Sequence, residues 1–430
     1  MFPSFRVSPR QACTALSLIC LFWFLVAAPL AAHGDPADFD IKKLFKGEAY
    51  ISDRQDIITL YKDEAIPVID MHMHSGTFDN MGPLGREFVL GAIPLPLPDN
   101  LKEGLARLIA DLTRHPYTPF VGIRNECRKA GLSAAVLFAV YTPEAWGVED
   151  NATVIGHLDD PRNIYRGKPF FYGFASISQE NWQNNESNAL ADLDRAMAHP
   201  KMVGVKLAFA HNVEPLDNPA FDSIYQLAER HDAPVYHHIG PSPLRPLDQF
   251  PDDAARERYI RSFYPTYVES ILQRFPRVRF ILGHMGFDFV DSGIDGIDEV
   301  FRLARQYPNV YLEISAFGTD SHDPDGTVMD DILGKAKEFN LIDRVIYGSD
   351  GPGFAGATEK YKDKTLASMG RVGYTPAEVR LVMAENFLAV TGLDQDPSFQ
   401  LAPLKAAQVP SEDLDVHLNE VPMEHHPHRH

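Results

Sequence analysis

The chain has 430 residues, with 40 Lys and Arg against 59 Asp and Glu, a formal charge of −19, and 45% hydrophobic and 23% charged residues. This composition excludes a disordered chain, a coiled coil and a multi-span membrane protein, and the acidic balance argues against a nucleic-acid partner, whose phosphates such a surface repels. Three cysteines cannot build a disulfide framework.

The first element is a targeting segment. Arg6 and Arg10 precede an uncharged stretch from Ala12 to Ala32, and Asp35, Asp38 and Asp40 follow it. A basic flank, an apolar run and small residues at its end read as a signal peptide over 1–32, which implies export to a periplasm or secretion. The alternative is an uncleaved anchor, since the run is long enough to span a bilayer. After processing, no stable membrane span and a single cysteine, Cys127, would remain.

Eight short apolar runs then recur, each followed by a polar loop and a helical pattern. They are 66–74, 132–140, 170–177, 202–209, 233–240, 278–285, 309–317 and 344–351. Stretches such as NPAFDSIYQLAERHD, PTYVESILQRFP and MDDILGKAKEFNLID supply the helices between them. Buried apolar strands alternating with helices mean parallel βαβ units. Eight of them fit a closed (β/α)8 barrel over about residues 60–395. An open doubly wound sheet is the competing architecture, but no glycine-rich phosphate loop follows the first strand. The segment 78–119 carries six prolines and is too long for a routine connection, so it reads as a lid or substrate-shaping insertion after strand 1. Segment 241–262 is a second such candidate. The end, 396–430, finishes in the histidine-rich MEHHPHRH and reads as a disordered tail without a catalytic role.

Several runs end in metal-ligand residue types. His72 and His74 lie two apart in VIDMHMH, so both imidazoles project to one side of a strand, with Asp70 on the same face one layer deeper. The fifth run ends in His237-His238, of which only one can face inward. His284 ends the sixth run and Asp350 the eighth. Imidazoles and a carboxylate at the carboxyl ends of parallel strands form a site for a divalent metal such as Zn²⁺. His115, His157, His199, His211 and His231 read as structural, and nothing selects His322.

IDMHMHSG, VGVKLAFA, APVYHHIG, PRVRFILGHMG, NVYLEISAFG, DRVIYGSDGPG and TPAEVRLVMAENFLAVTGL together resemble the amidohydrolase superfamily. The likeness is to its amidohydrolase-related branch, which includes aminocarboxymuconate semialdehyde decarboxylase and aromatic-acid decarboxylases. The resemblance runs in order from about residue 66 to 393. It implies that His72, His74, His238 and Asp350 bind metal, with His284 beside them and His237 turned outward. The expected function is hydrolysis of an amide, ester or lactone bond of a small molecule by a metal-activated water. Asp350 would take and return the proton, and His284 would hold the water or polarise the substrate oxygen. Two alternatives stand beside it. One is non-oxidative decarboxylation of a small carboxylic acid at the same residues, and the other is an exported metal-binding barrel without activity. The oligomeric state is open, a homodimer included.

Lys206 bears on metal count. In MVGVKLAF, Val203, Val205 and Leu207 alternate with Gly204, Lys206 and Ala208. The apolar set should face the helices, so Lys206 points into the barrel, where a charge on the helix side would be buried without water. There it could be carboxylated and bridge two metals, or stay an ammonium paired with Glu313 or Asp70. Glu313 points inward by the same alternation. The branch resembled is mostly mononuclear, which favours the unmodified lysine and one Zn²⁺.

Overall fold

The computed structural model describes residues 58–396, apart from 92–96, 99, 106–118, 166–167 and 352–355. The expected signal peptide and the tail after 396 lie outside the described residues. Among the described residues no helix is long and apolar enough to cross a membrane.

Every expected strand run contains a strand of one sheet. In chain order they are β1 (Ile69–Met73), β2 (Ala134–Phe138), β3 (Phe171–Ser176), β4 (Met202–Leu207), β5 (Val235–His238), β6 (Phe280–Gly283), β7 (Val310–Ile314) and β8 (Val345–Tyr347). Neighbours in sequence are neighbours in the sheet, and each pair is parallel. The ends meet just beyond β8. His74 N donates to Gly351 O at 2.7 Å and Gly351 N to His72 O at 3.1 Å, closing the barrel. One helix covers each strand: α1 (Pro119–Lys129), α2 (Asn151–Asp159), α3 (Trp182–Met197), α4 (Asp222–Arg230), α5 (Glu269–Arg274), α6 (Ile297–Gln306), α7 (Thr327–Glu338) and α8 (Ala357–Val372). A parallel strand–helix–strand repeat whose sheet curls onto itself is the (β/α)8 barrel.

Two apolar layers result. Val205, Leu207, Val235, Leu282, Leu312 and Val345 pack outward against helix residues such as Ile224, Leu227, Val300 and Leu303. Ile69, Val136, Phe138, Phe174, Tyr236 and Ile281 fill the interior. The floor is sealed by the chain that follows α8. A capping box at Thr375 and Glu378 starts this segment, and Phe387, Leu388, Val390 and Leu393 join the interior cluster. Asn386 Nδ2 donates at 2.7 Å to Ile342 O and Val345 O, which fixes the plug to the start of β8.

Two insertions stand over the opposite rim. After β2 the chain makes an antiparallel hairpin, Val140–Thr142 with Gly147–Glu149. The described part of the proline-rich insertion includes a short helix, Pro83–Gly91, docked on that hairpin by Leu84 N to Glu144 O (2.9 Å) and Gly85 N to Ala145 O (3.1 Å). Its approach, through Thr77, Asn80 and Met81, lines the cavity, so it shapes the mouth. Segment 241–262 contributes Pro243 to the cavity, while most of its second half is the helix Asp253–Phe263.

Candidate metal centre

β1 does not alternate cleanly. Its register with β2 shifts between Asp70 and Met73. Ile69 and Met71 lie inward, yet His72 does too, with its ring 4.5 Å from Phe138 and 5.1 Å from Tyr236. The bulge therefore places Asp70 on the other face, which corrects the expectation that it lies beneath the imidazoles. Its charge acts on Cys127 of α1 and on outward-facing Tyr347. Asp70 Oδ1 accepts from His72 N at 3.1 Å and Ser349 N at 2.9 Å, tying β1 to the chain after β8. Burial pushes its carboxyl up to about 7.

Three ligand atoms converge at the rim. His72 Nε2, His74 Nε2 and Asp350 Oδ1 form a triangle with every side 3.1 Å. His72 is buried, while His74 and Asp350 keep 27% and 12% of their side chains accessible, so the triangle opens to the cavity. Ligands about 2.0–2.1 Å from a tetrahedral zinc stand roughly 3.3 Å apart, close to this spacing. Two imidazole nitrogens and a carboxylate oxygen facing one point are donors of the types a divalent metal takes, so the set fits such an ion. A second group of ligand types, His72, His284 and Glu313, lies deeper.

His238 belongs to neither group but lies beside His284 of the second. β5 is four strands from β1 in either direction around the barrel, so His238 enters from the opposite wall. Its ring is 4.4 Å from His211 and 4.5 Å from His284. Burial holds it neutral, and its buried Nε2 has no hydrogen-bond partner among the described residues, which suits a donor to a bound ion or ligand. His237 faces the helices, where its Nε2 meets Tyr225 Oη at 3.2 Å and its ring lies beside Phe209 and Phe280.

Glu313 organises the layer below. Its carboxylate is met by His72 Nδ1 (3.2 Å), Tyr236 Oη (3.2 Å), Ser315 Oγ (2.8 Å) and the backbone N–H of His284 (3.0 Å). Burial pushes this carboxyl up, and His284 and Ser315 oppose that shift. Accepting from His72 Nδ1–H fixes the tautomer whose Nε2 lone pair faces the triangle. Ser315 Oγ donates to Glu313 and so accepts from His284 Nδ1–H at 2.8 Å. His284 thus presents a lone pair at Nε2, and burial lowers its pKa to about 4. Non-glycine residues after β6, β7 and β8 (His284, Ala316 and Asp350) have φ of 58°, 64° and 59° and all line the cavity. Left-handed backbone at three consecutive strand ends is strain held where side chains must be aimed inward.

Lys206 points inward as expected, buried, with Nζ 4.0 Å from the ring centre of Tyr236 and 4.7 Å from that of Phe138. Burial pulls its pKa down to about 7, against the charges of Asp350 and Glu313. His322 reaches the cavity beside Phe289. Sequence reasoning missed His211, which lines the cavity and bonds Ser242 Oγ at 2.8 Å; its place just after β4 was a usable signal. It also missed Glu149, buried at the cavity and bonded to Ser75 Oγ at 2.6 Å, because the hairpin carrying it left no pattern. His157, by contrast, is a partner of Glu149 at 3.7 Å, and His199 and His231 pair with surface aspartates.

Residues 181–390 match the model of a family described as Amidohydrolase. The match takes in β4 to β8 and most of the closing plug. No curated protein matches the chain. Among solved structures, an uncharacterised TIM-barrel protein from Bordetella bronchiseptica is 16% identical, covering 76% of this chain and 100% of its own, with a TM-score of 0.49. A probable 2-pyrone-4,6-dicarboxylic acid hydrolase from Acinetobacter baumannii is 15% identical over 76% and 100%, with a TM-score of 0.47. The 5-carboxyvanillate decarboxylase of Sphingomonas paucimobilis is 14% identical over 76% and 99%, with a TM-score of 0.46.

Proposed function

We propose that this chain, which over residues 181–390 belongs to the amidohydrolase family, is a metal-dependent hydrolase that cleaves an amide, ester or lactone bond of a small molecule. The observation that carries the reading is the triangle of His72 Nε2, His74 Nε2 and Asp350 Oδ1. These three residues would hold one divalent cation, with Zn²⁺ favoured by the nitrogen and oxygen donors and His238 facing the cavity from across the barrel. A cation bound there supplies Lewis acidity and lowers the pKa of water.

The chain's own groups supply the rest. Asp350, whose Oδ1 lies in the triangle, would accept a proton from the attacking water and return it to the leaving group. His284, with Nδ1–H given to Ser315, accepts at Nε2; it therefore orients a water and does not donate to a substrate oxygen. Glu313 holds His72 and His284 in these orientations. Decarboxylation would draw on the same residues. Metal analysis of purified protein, followed by a screen of amides, esters, lactones and aromatic carboxylates, tests the reading. New acid with an amine or alcohol, lost on chelation, supports hydrolysis; carbon dioxide release instead transfers the site to decarboxylation. Protein that binds no metal would defeat both.

A further inference from the structure

Burial without an oxygen partner sets Lys206 apart from the other enclosed lysine of the barrel. Among the described residues its Nζ makes no hydrogen bond and no ion pair, only the contacts with the ring faces of Tyr236 (4.0 Å) and Phe138 (4.7 Å). Lys362 is buried too, yet its Nζ reaches Ala130 O at 2.6 Å, Thr59 Oγ1 at 3.3 Å and Asp363 at 3.2 Å. The carboxylates near Lys206 are committed elsewhere. Glu313 is met by four donors, and Asp350 Oδ1 faces both β1 imidazoles. An ammonium lodged between rings, without a carboxylate or carbonyl in reach, loses its hydration and finds no hydrogen-bond acceptor to replace it. Burial therefore favours the neutral amine, and the charges of Asp350 and Glu313 oppose it only in part.

The amine is also fixed in place and open to reactants. The Lys206 carbonyl accepts from Ser176 Oγ at 2.8 Å, and β4 pairs in regular register with β5 at Lys206 and Tyr236. Lys206 lines the cavity, and so does Ala208, the residue two places on. A methyl group at that position leaves room above the amine, where a long side chain would cover it. A desolvated lysine in an aromatic pocket that opens to a cavity is the setting in which an amine becomes a nucleophile toward a carbonyl carbon.

We propose that Lys206 is a nucleophilic amine that captures a small aldehyde or ketone as an imine, an activity beyond the hydrolase reading and independent of it. Nζ bonds to the carbonyl carbon, and an N–H proton passes to the carbonyl oxygen to give a carbinolamine. The new hydroxyl takes a proton from solvent and leaves as water while the nitrogen lone pair closes the C=N bond. The iminium so formed lies against the faces of Tyr236 and Phe138. The test is limited reductive alkylation of the metal-loaded full chain at pH 7 with butanal and sodium cyanoborohydride. Hydride from the cyanoborohydride adds to the iminium carbon and leaves a stable secondary amine, and peptide mass spectrometry gives a rate for each lysine. Lys206 should be alkylated at least ~10-fold faster than the exposed lysines, since an ordinary lysine is almost wholly protonated at this pH, and faster than Lys362. Lys206→Arg, whose guanidinium forms no imine under these conditions, should lose the first adduct from the intact mass. Labelling of Lys206 no faster than that of Lys362, or only after the exposed lysines, overturns the proposal. Should the variant fail to fold, the site-resolved rates in wild type decide. Chelator-stripped protein should keep the preference for Lys206, and loss of the preference on stripping would assign the carbonyl to the cation and overturn the role of the amine. Protein that binds no metal would defeat the hydrolase reading while leaving the labelling of Lys206 intact as a test.

Discussion

The tautomer of His72 depends on a neighbour that never meets the cavity. Glu313 accepts from Nδ1 at 3.2 Å and so turns the Nε2 lone pair towards the triangle. Outer partners of this kind change metal affinity by roughly 10–100-fold when removed. Glu313→Gln should therefore weaken metal binding by about that factor in competition with a chelating dye; unchanged affinity would mean the carboxylate only fills space. Asp350→Asn should lower turnover at least ~10²-fold, the scale of a lost general base, with the circular-dichroism spectrum of the barrel preserved, and near-normal turnover would remove Asp350 from the proton path. The adjacent imidazoles of β5 separate two kinds of damage. His237 packs among Phe209, Tyr225 and Phe280, so His237→Ala should cost stability, about 2–4 kcal/mol by analogy with other large-to-small core changes, and spare the turnover of folded protein. His238→Ala should cost turnover and little stability. Equal effects of the two changes on turnover would mean that the faces are misassigned. His72, His74, His284 and Asp350 were legible because each ends an apolar run. Choosing His238 over His237 needed the family likeness, since alternation says only that the two differ. His211 and Glu149 were not legible because short helices and hairpins at the rim carry no periodic signal.

A single extra residue in a strand reverses every face beyond it, and nothing in an apolar run marks the insertion. That is why Asp70 was read onto the wrong side of β1. β4 has a shift as well, between Met202 and Gly204. It leaves Lys206 inward because the lysine lies beyond it, in the part of the strand that pairs regularly with β5. The strands themselves were legible for the opposite reason: being covered on one face and packed on the other, they are apolar throughout. Glycines in the strand ends have a packing role that alternation does not reveal. A Cβ on Gly348 would lie 2.1 Å from Glu313 Oε1 and 2.9 Å from His72 Cβ, and one on Gly283 would lie 1.9 Å from Tyr236 Oη. Both glycines make room for the polar layer under the triangle. Gly348→Ala should thus destabilise by about 1–3 kcal/mol, the usual cost of overpacking, and should also weaken metal binding by displacing Glu313. Chemical denaturation and metal titration of the same variant check this, and a loss of stability with unaltered metal affinity would show that the layer can move without reaching the triangle.

At the scale of the molecule the two ends of the barrel do different work. The floor is closed by apolar packing from Phe387, Leu388, Val390 and Leu393, which needs no ligand. The rim gathers imidazoles and a carboxylate whose ligand atoms stand 3.1 Å apart, an arrangement that a cation between them would stabilise. A ligand that binds only the folded state stabilises it by RT ln(1 + [L]/Kd), about 2.7 kcal/mol at a hundredfold excess over Kd. At roughly 2.1 cal/mol/K of unfolding entropy per residue, a barrel of about 335 residues moves its melting temperature by about 1.4 °C for each kcal/mol. Stripping the metal should then lower the melting temperature by about 4 °C, and stoichiometric Zn²⁺ should restore it. Asp350→Asn, which replaces one triangle oxygen by a weaker neutral ligand, should melt closer to the stripped protein and respond less to added metal. The triangle residues sit at the end of β1 and on the chain after β8, the two edges whose meeting closes the sheet. Metal removal should therefore raise amide exchange first at Met73, His74 and Gly351, while Phe387 and its neighbours stay protected. Hydrogen-exchange mass spectrometry of loaded and stripped protein reads this directly. A uniform rise, or one that begins at the floor, would mean that the cation does not hold the seam and that closure rests on the apolar interior alone.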